Sequence, residues 1–107
     1  MINKKVKTES LAGKTVAVSG ATGGLGSPLC FMLASLGARL ILLDRNGEKS
    51  RALGERLLAE FPSLEIDYIR TDMADMASVR AAARALEDEP LDLLILNAGA
   101  YNVPRYK

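Results

Sequence analysis

Four short apolar runs alternate with three helix-patterned stretches between Lys14 and Leu96, and no other feature constrains the fold as strongly. The runs are TVAVS at Thr15 to Ser19, ARLILL at Ala38 to Leu43 with Asp44 after it, a third from Leu64 to Ile69, and LDLLIL at Leu91 to Leu96. Each has strand length, and Gly20, Asp44 and Asn97 follow the first, second and fourth. Between them Leu25, Leu29, Met32, Leu33 and Leu36 recur at helical spacing until Gly37, with Pro28 in the first turns, where a missing amide hydrogen is tolerated. Leu53, Leu57 and Phe61 form a second stripe that Pro62 stops. A third helix starts at the N-cap Asp75 and is expected to turn Met76, Val79, Ala82, Ala83 and Leu86 inward before Pro90. The order βαβαβαβ in one compact unit means a parallel sheet with right-handed crossovers. In a doubly wound arrangement its strands run 3-2-1-4, with the first two helices on one face and the third alone on the other.

Length and composition narrow the function classes. At 107 residues, with 49% hydrophobic and 25% charged residues, the chain is expected to fold around one core. Fourteen basic against thirteen acidic residues leave a net charge of +1, without the surplus that nucleic-acid backbones demand. There is no His, which excludes His-dependent triads, dyads and zinc motifs, and the lone Cys30 excludes an internal disulfide. Lys4, Lys5 and Lys7 are not followed by the apolar run of a signal peptide, and no stretch reaches the length of a membrane span. A cytoplasmic protein without membrane or nucleic-acid partners is therefore expected, with residues 1–12 as an N-terminal arm and 13–107 as the domain.

The chemistry concentrates in the turn after the first strand. Ser19-Gly20-Ala21-Thr22-Gly23-Gly24-Leu25-Gly26 joins a strand to a helix, where missing side chains let a pyrophosphate approach the backbone and the helix N-terminus offers free amide hydrogens. No Gly-Lys-Ser/Thr closes it, so it is not a Walker loop. Asp44 ends the second strand, eighteen residues beyond Gly26, where a carboxylate can accept hydrogen bonds from adenosine ribose hydroxyls and would repel a 2′-phosphate. Arg45 beside it could pair with that phosphate. The electrostatic argument favours NAD, with NADP as the alternative. Taken alone, Asp44 also reads as a helix-entry cap together with Asn46, and Arg45 as a solvated charge.

These residues resemble the short-chain dehydrogenase/reductase family. Ser19 to Gly26 is similar to its TGxxxGxG turn with Ser for Thr, Asp44 to its acid after the second strand, and Asp72-Met73 to its Asp-hydrophobe pair after the third. Leu96-Asn97-Ala98-Gly99 is similar to its NNAG element with Leu for the first Asn. Gly20, Gly23 and Gly26 also fit the TGxxGxxG spacing of the family's extended branch, and Asn97 to Gly99 favours the single-domain branch. The resemblance implies a Rossmann-like fold and a nicotinamide dinucleotide. It places Gly20, Gly24 and Gly26 on the pyrophosphate, Asp44 on the adenosine ribose, Asp72 and Met73 on the adenine, and Asn97 to Gly99 on the nicotinamide-side ribose. Ser19, Thr22, Gly23, Leu25 and Arg45 complete the expected cofactor-binding set. Asp72, taken alone, reads as a turn residue just as well.

The resemblance also implies hydride transfer between nicotinamide and an alcohol or carbonyl carbon, with Tyr as acid/base, Lys beside it, and Ser and Asn in support. In the family these four lie beyond the NNAG element, and only eight residues follow Gly99 here. Tyr106 and Lys107 are adjacent rather than four apart. Tyr101 has Arg105 at that spacing, which cannot relay a proton as Lys does, and Pro104 spoils the helix. The expected catalytic set within this sequence is accordingly empty. LDLLIL would be an open edge although its composition suits a strand buried between neighbours. The chain thus reads as the cofactor-binding half of a longer oxidoreductase without turnover of its own. Its alternatives are a non-catalytic nucleotide-binding or interaction module paired through the fourth strand with a partner or a second copy, or a chain with no stable fold of its own.

Overall fold

A computed structural model of the chain describes residues 10–97. Its elements are β1 (Thr15–Ser19), α1 (Gly26–Ser35), β2 (Arg39–Asp44), α2 (Gly47–Glu60), β3 (Ile66–Arg70), α3 (Met76–Ala85) and β4 (Leu93–Leu96). The four strands form one parallel sheet in the order β3-β2-β1-β4, as the alternation of runs and helices predicts. Val16 pairs with Leu40 and Leu93, and Leu40 with Ile66, which fixes the register across all four strands.

Because side chains alternate along a strand, each face of the sheet has its own core. Val16, Val18, Leu40 and Leu42 point to the face covered by α1 and α2, where they meet Cys30, Leu33, Ala34, Leu53 and Leu57. Ala17, Ile41 and Leu43 point to the other face with Ile69, Leu86 and Leu91. Full burial of one leucine is worth about 1.5–3 kcal/mol, so the two-helix face dominates the stability. Cys30 belongs to that core, and burial pushes its thiol up to about 11, leaving it protonated and unreactive at neutral pH.

Four details differ from the sequence expectation. The third strand starts at Ile66 rather than Leu64, because Leu64 donates its amide to Phe61 O and so still belongs to the turn. The fourth starts at Leu93 rather than Leu91, since Asp92 caps the β1 edge: its Oδ2 accepts from Thr15 N and its amide donates to Thr15 O. The buried face of α1 is Gly26, Cys30, Leu33 and Ala34, three of them small residues that let the helix lie close on the sheet, while Leu25 and Met32 face outward. On α3 only Ala82 is buried; Met76 is 60% exposed and Ala83 is exposed as well. That helix packs against β3.

At the N-terminal end of the sheet Arg39 ties three segments together, with ion pairs to Asp67 on β3 and Glu89 in the loop before β4. Leu11 donates to Leu36 O and packs on the two-helix core, so the chain is joined to the domain before β1 begins. Among the described residues no helix is long and apolar enough to cross a membrane, and no group of His, Cys, Asp and Glu is placed to hold a metal.

Candidate functional site

The C-terminal ends of the parallel strands are where the fold leaves its backbone groups unused. Ser19 ends β1, Asp44 ends β2, Arg70 and Thr71 end β3, and Asn97 follows β4. The turn from Gly20 to Leu25 lies across this edge.

Local contacts shape the turn. Gly20 has φ +68°, a left-handed conformation that glycine adopts without a Cβ clash, and its amide donates to Leu43 O at the end of β2. Gly23 donates to Gly20 O and Gly26 to Gly23 O, winding the chain into α1. A Cβ on Gly26 would lie 2.6 Å from Ala21 O and closer still to Gly20 O, so backbone meets backbone at the start of the helix. Gly24 is the opposite case: a Cβ there would have no heavy atom within 4 Å. The packing of the described residues does not require a glycine at that position.

The start of α1 is also bare. Asn46 caps α2 by accepting from Lys49 N, and Asp75 caps α3 by accepting from Ala77 N, but Leu25 occupies the N-cap of α1 and has no side chain able to accept. Among the described residues no acceptor meets the amide hydrogens of Gly24, Leu25 or Ser27. Three donors thus lie without acceptors beside the positive end of the α1 dipole, an arrangement suited to an anion.

Around this cradle stand the other residues expected from the sequence. Asp44 Oδ2 accepts from Thr22 Oγ1 at 2.7 Å and from Thr22 N at 3.2 Å, and its Oδ1 accepts from Asn46 N at 3.0 Å. Asn97 donates its amide to the buried Ser19 Oγ at 3.1 Å and its Nδ2 to Gly20 O at 3.3 Å, which joins the end of β4 to the turn. Asp72 Oδ1 accepts from Ala74 N, so this residue builds the turn before α3 while remaining half-buried at the sheet edge beside exposed Met73. Arg45 is exposed beyond Asp44. Ala98 and Gly99, with Tyr101, Arg105, Tyr106 and Lys107, lie outside the described residues.

Sequence reasoning missed Arg51 and Arg70. With Arg45, Asn46, Gly47 and Glu48 they line a groove of about 570 Å³ beside Asp44. Arg70 Nε donates to Arg45 O at 3.2 Å, and the Arg51 guanidinium lies 4.9 Å from the centre of the Tyr68 ring. Their spacing of 19 residues in the chain carries no local signal; only the pairing of β2 with β3 brings them to one groove. A second hollow of about 490 Å³, lined by residues such as Gly37, Phe61 and Glu65, lies at the opposite end of the sheet from the turn.

The strand order, the glycine turn and the bare helix start together define a Rossmann-like α/β domain. The family model described as short chain dehydrogenase matches residues 14–106, and the chain belongs to that family. It is 44% identical over 92 residues to dehydrogenase/reductase SDR family member 13 of Bos taurus, covering 84% of this chain and 24% of that protein. It is 33% identical over 99 residues to human retinol dehydrogenase 13, covering 91% of this chain and 30% of the relative. Among solved structures, the RhlG/NADP active-site complex of Pseudomonas aeruginosa superposes with a TM-score of 0.74 at 31% identity, covering 85% of this chain and 36% of that one. A metagenomic short-chain oxidoreductase in complex with NADP gives a TM-score of 0.71 at 31% identity, covering 80% and 39%. The chain therefore spans about a quarter to a third of the length of the curated relatives named here.

Proposed function

We propose that this chain forms the nicotinamide-dinucleotide-binding part of a short-chain oxidoreductase that moves hydride between the cofactor and an alcohol or carbonyl carbon. The observation that carries this reading is the open cradle at Gly24, with the unpaired amides of Gly24, Leu25 and Ser27 at the uncapped start of α1. The turn and helix would hold the pyrophosphate, Asp44 the adenosine ribose, Asp72 and Met73 the adenine side, and Asn97 the far ribose, with Ala98 and Gly99 following. The cofactor, when bound, supplies the hydride chemistry. The protein residues named here bind and orient it, and no Tyr-x-x-x-Lys pair occurs in the sequence to move the proton. The cytoplasm is the compartment we propose, where a buried free thiol such as that of Cys30 stays reduced.

NAD is the cofactor the Asp44 carboxylate favours, because a 2′-phosphate would approach that negative charge. The second reading, NADP, is favoured by Arg45, Arg51 and Arg70 along the adjoining groove and by the two NADP-bound structural neighbours. Calorimetric titration of both dinucleotides separates them. Asp44→Asn is expected to lower the ratio of NAD to NADP affinity by about tenfold, the ~1.4 kcal/mol scale of one removed charge contact. A wild-type protein that binds NADP more tightly would reverse the preference, and one that binds neither would sink the reading.

The β4 edge is proposed to pair with a second copy of the chain. Its outer backbone groups have no strand beside them among the described residues, and Leu93, Leu94 and Leu96 are 49%, 45% and 65% exposed. Two identical edges can pair antiparallel across a two-fold axis. Light scattering at micromolar concentration is expected to show a dimer that Leu94→Lys with Leu96→Lys converts to monomer. A wild-type monomer would exclude the pairing.

A further inference from the structure

The contacts of Asp44 divide unequally between its two carboxylate oxygens. Oδ2 accepts two hydrogen bonds, both from Thr22: one from the hydroxyl at 2.7 Å and one from the amide at 3.2 Å. Oδ1 accepts one, from Asn46 N at 3.0 Å. An ionised carboxylate oxygen has about two lone-pair sites, so Oδ2 is filled and Oδ1 keeps one free. Thr22 lies in the middle of the glycine turn and Asp44 at the end of β2, 22 residues away, and both are half-buried.

We propose that Thr22 is a positioning residue for cofactor selection: by filling Oδ2 it pins the Asp44 carboxylate with Oδ1 presented to the adenosine ribose. This rests on the dinucleotide-binding reading given above. The Thr22 hydroxyl fixes the rotation of the carboxylate, since the hydroxyl-to-carboxylate bond is short and charge-assisted. A carboxylate held there meets a ribose hydroxyl with a vacant acceptor site, and it meets a 2′-phosphate with a charge that cannot swing away. Released from Thr22, the same side chain can rotate toward solvent or toward Arg45. The carboxylate would then lose its preset hydrogen bond to the ribose and its repulsion of the phosphate together. The bond also joins the turn that faces the pyrophosphate to the strand end that faces the ribose, so the two halves of the site are aligned before ligand arrives.

The test is calorimetric titration of the full chain with NAD and with NADP, for wild type, Thr22→Val and Thr22→Ser. Thr22→Val keeps the shape and the amide bond but deletes the hydroxyl donor; it is expected to lower the ratio of NAD to NADP affinity by about fivefold, the scale of one net hydrogen bond. Thr22→Ser restores the donor and is expected to restore the ratio. Thr22→Ala, with less bulk, serves as the second donor-deleting variant should valine disturb the turn. In an Asp44→Asn background, Thr22→Val is expected to leave the ratio unchanged, because the partner charge is already gone. A ratio in Thr22→Val and Thr22→Ala equal to that of wild type overturns the role of Thr22 while leaving the binding reading intact. Wild type binding neither dinucleotide overturns both.

Discussion

Gly26→Ala is expected to lower the unfolding free energy by about 3 kcal/mol or more, among the largest effects of any single methyl in this chain. The added carbon would sit 2.6 Å from Ala21 O and closer to Gly20 O. Neither oxygen belongs to a side chain that can rotate away. Gly20 O already accepts from Gly23 N and from Asn97 Nδ2, so moving it breaks both bonds and detaches the turn from the end of β4. The alternative, shifting α1 outward, would open the contact of Cys30 and Leu33 with the sheet. Urea denaturation followed by circular dichroism measures the loss. A midpoint within experimental error of wild type would show that the turn relaxes more freely than its hydrogen bonds suggest.

Gly24→Val is expected to do the reverse. Its Cβ would sit where, chain neighbours aside, no heavy atom lies within 4 Å, so the melting temperature is expected to hold within about 2 °C, the shift that a few tenths of a kcal/mol produces in a domain of this size. Dinucleotide affinity should fall by about a hundredfold or more, equivalent to ~2.7 kcal/mol, because the branched side chain occupies the approach to the amides of Gly24, Leu25 and Ser27. Titration of the variant beside a thermal melt reads both quantities. Unchanged affinity would place the anion elsewhere than on this turn. The two glycines lie two residues apart in one motif, yet one closes the protein on itself and the other leaves room for a guest.

Much of this was legible from the chain alone, for identifiable reasons. Strand order and helix sides follow from the alternation of apolar runs and from the chirality of parallel crossovers, which leave few arrangements open. The strand ends were less accurate because the signal there is chemical rather than periodic: Leu64 and Leu91 are apolar and continue the pattern, but Phe61 O captures the amide of Leu64, and Asp92 occupies the β1 edge that Leu91 would have met. In α1 nearly every position is apolar, so spacing could not say which side faces the sheet; the small residues Gly26, Cys30 and Ala34 decided it. The site divides in the same way. A glycine motif between strand and helix announces itself within eight residues. The pairings of Thr22 with Asp44, of Ser19 with Asn97 and of Arg70 with Arg45 span 22, 78 and 25 residues, and only the folded sheet brings them together.

The bond from Asn97 N to Ser19 Oγ has a reach beyond its own geometry. Ser19 is fully buried at the hinge between β1 and the turn, and Asn97 is the first residue past the outermost strand. Displacing β4 from β1 would withdraw the amide that donates to that hydroxyl and, at the same time, one of the two donors to Gly20 O. On the binding proposed above, a displaced edge would loosen the turn that meets the cofactor. By reciprocity a bound dinucleotide would then steady the edge.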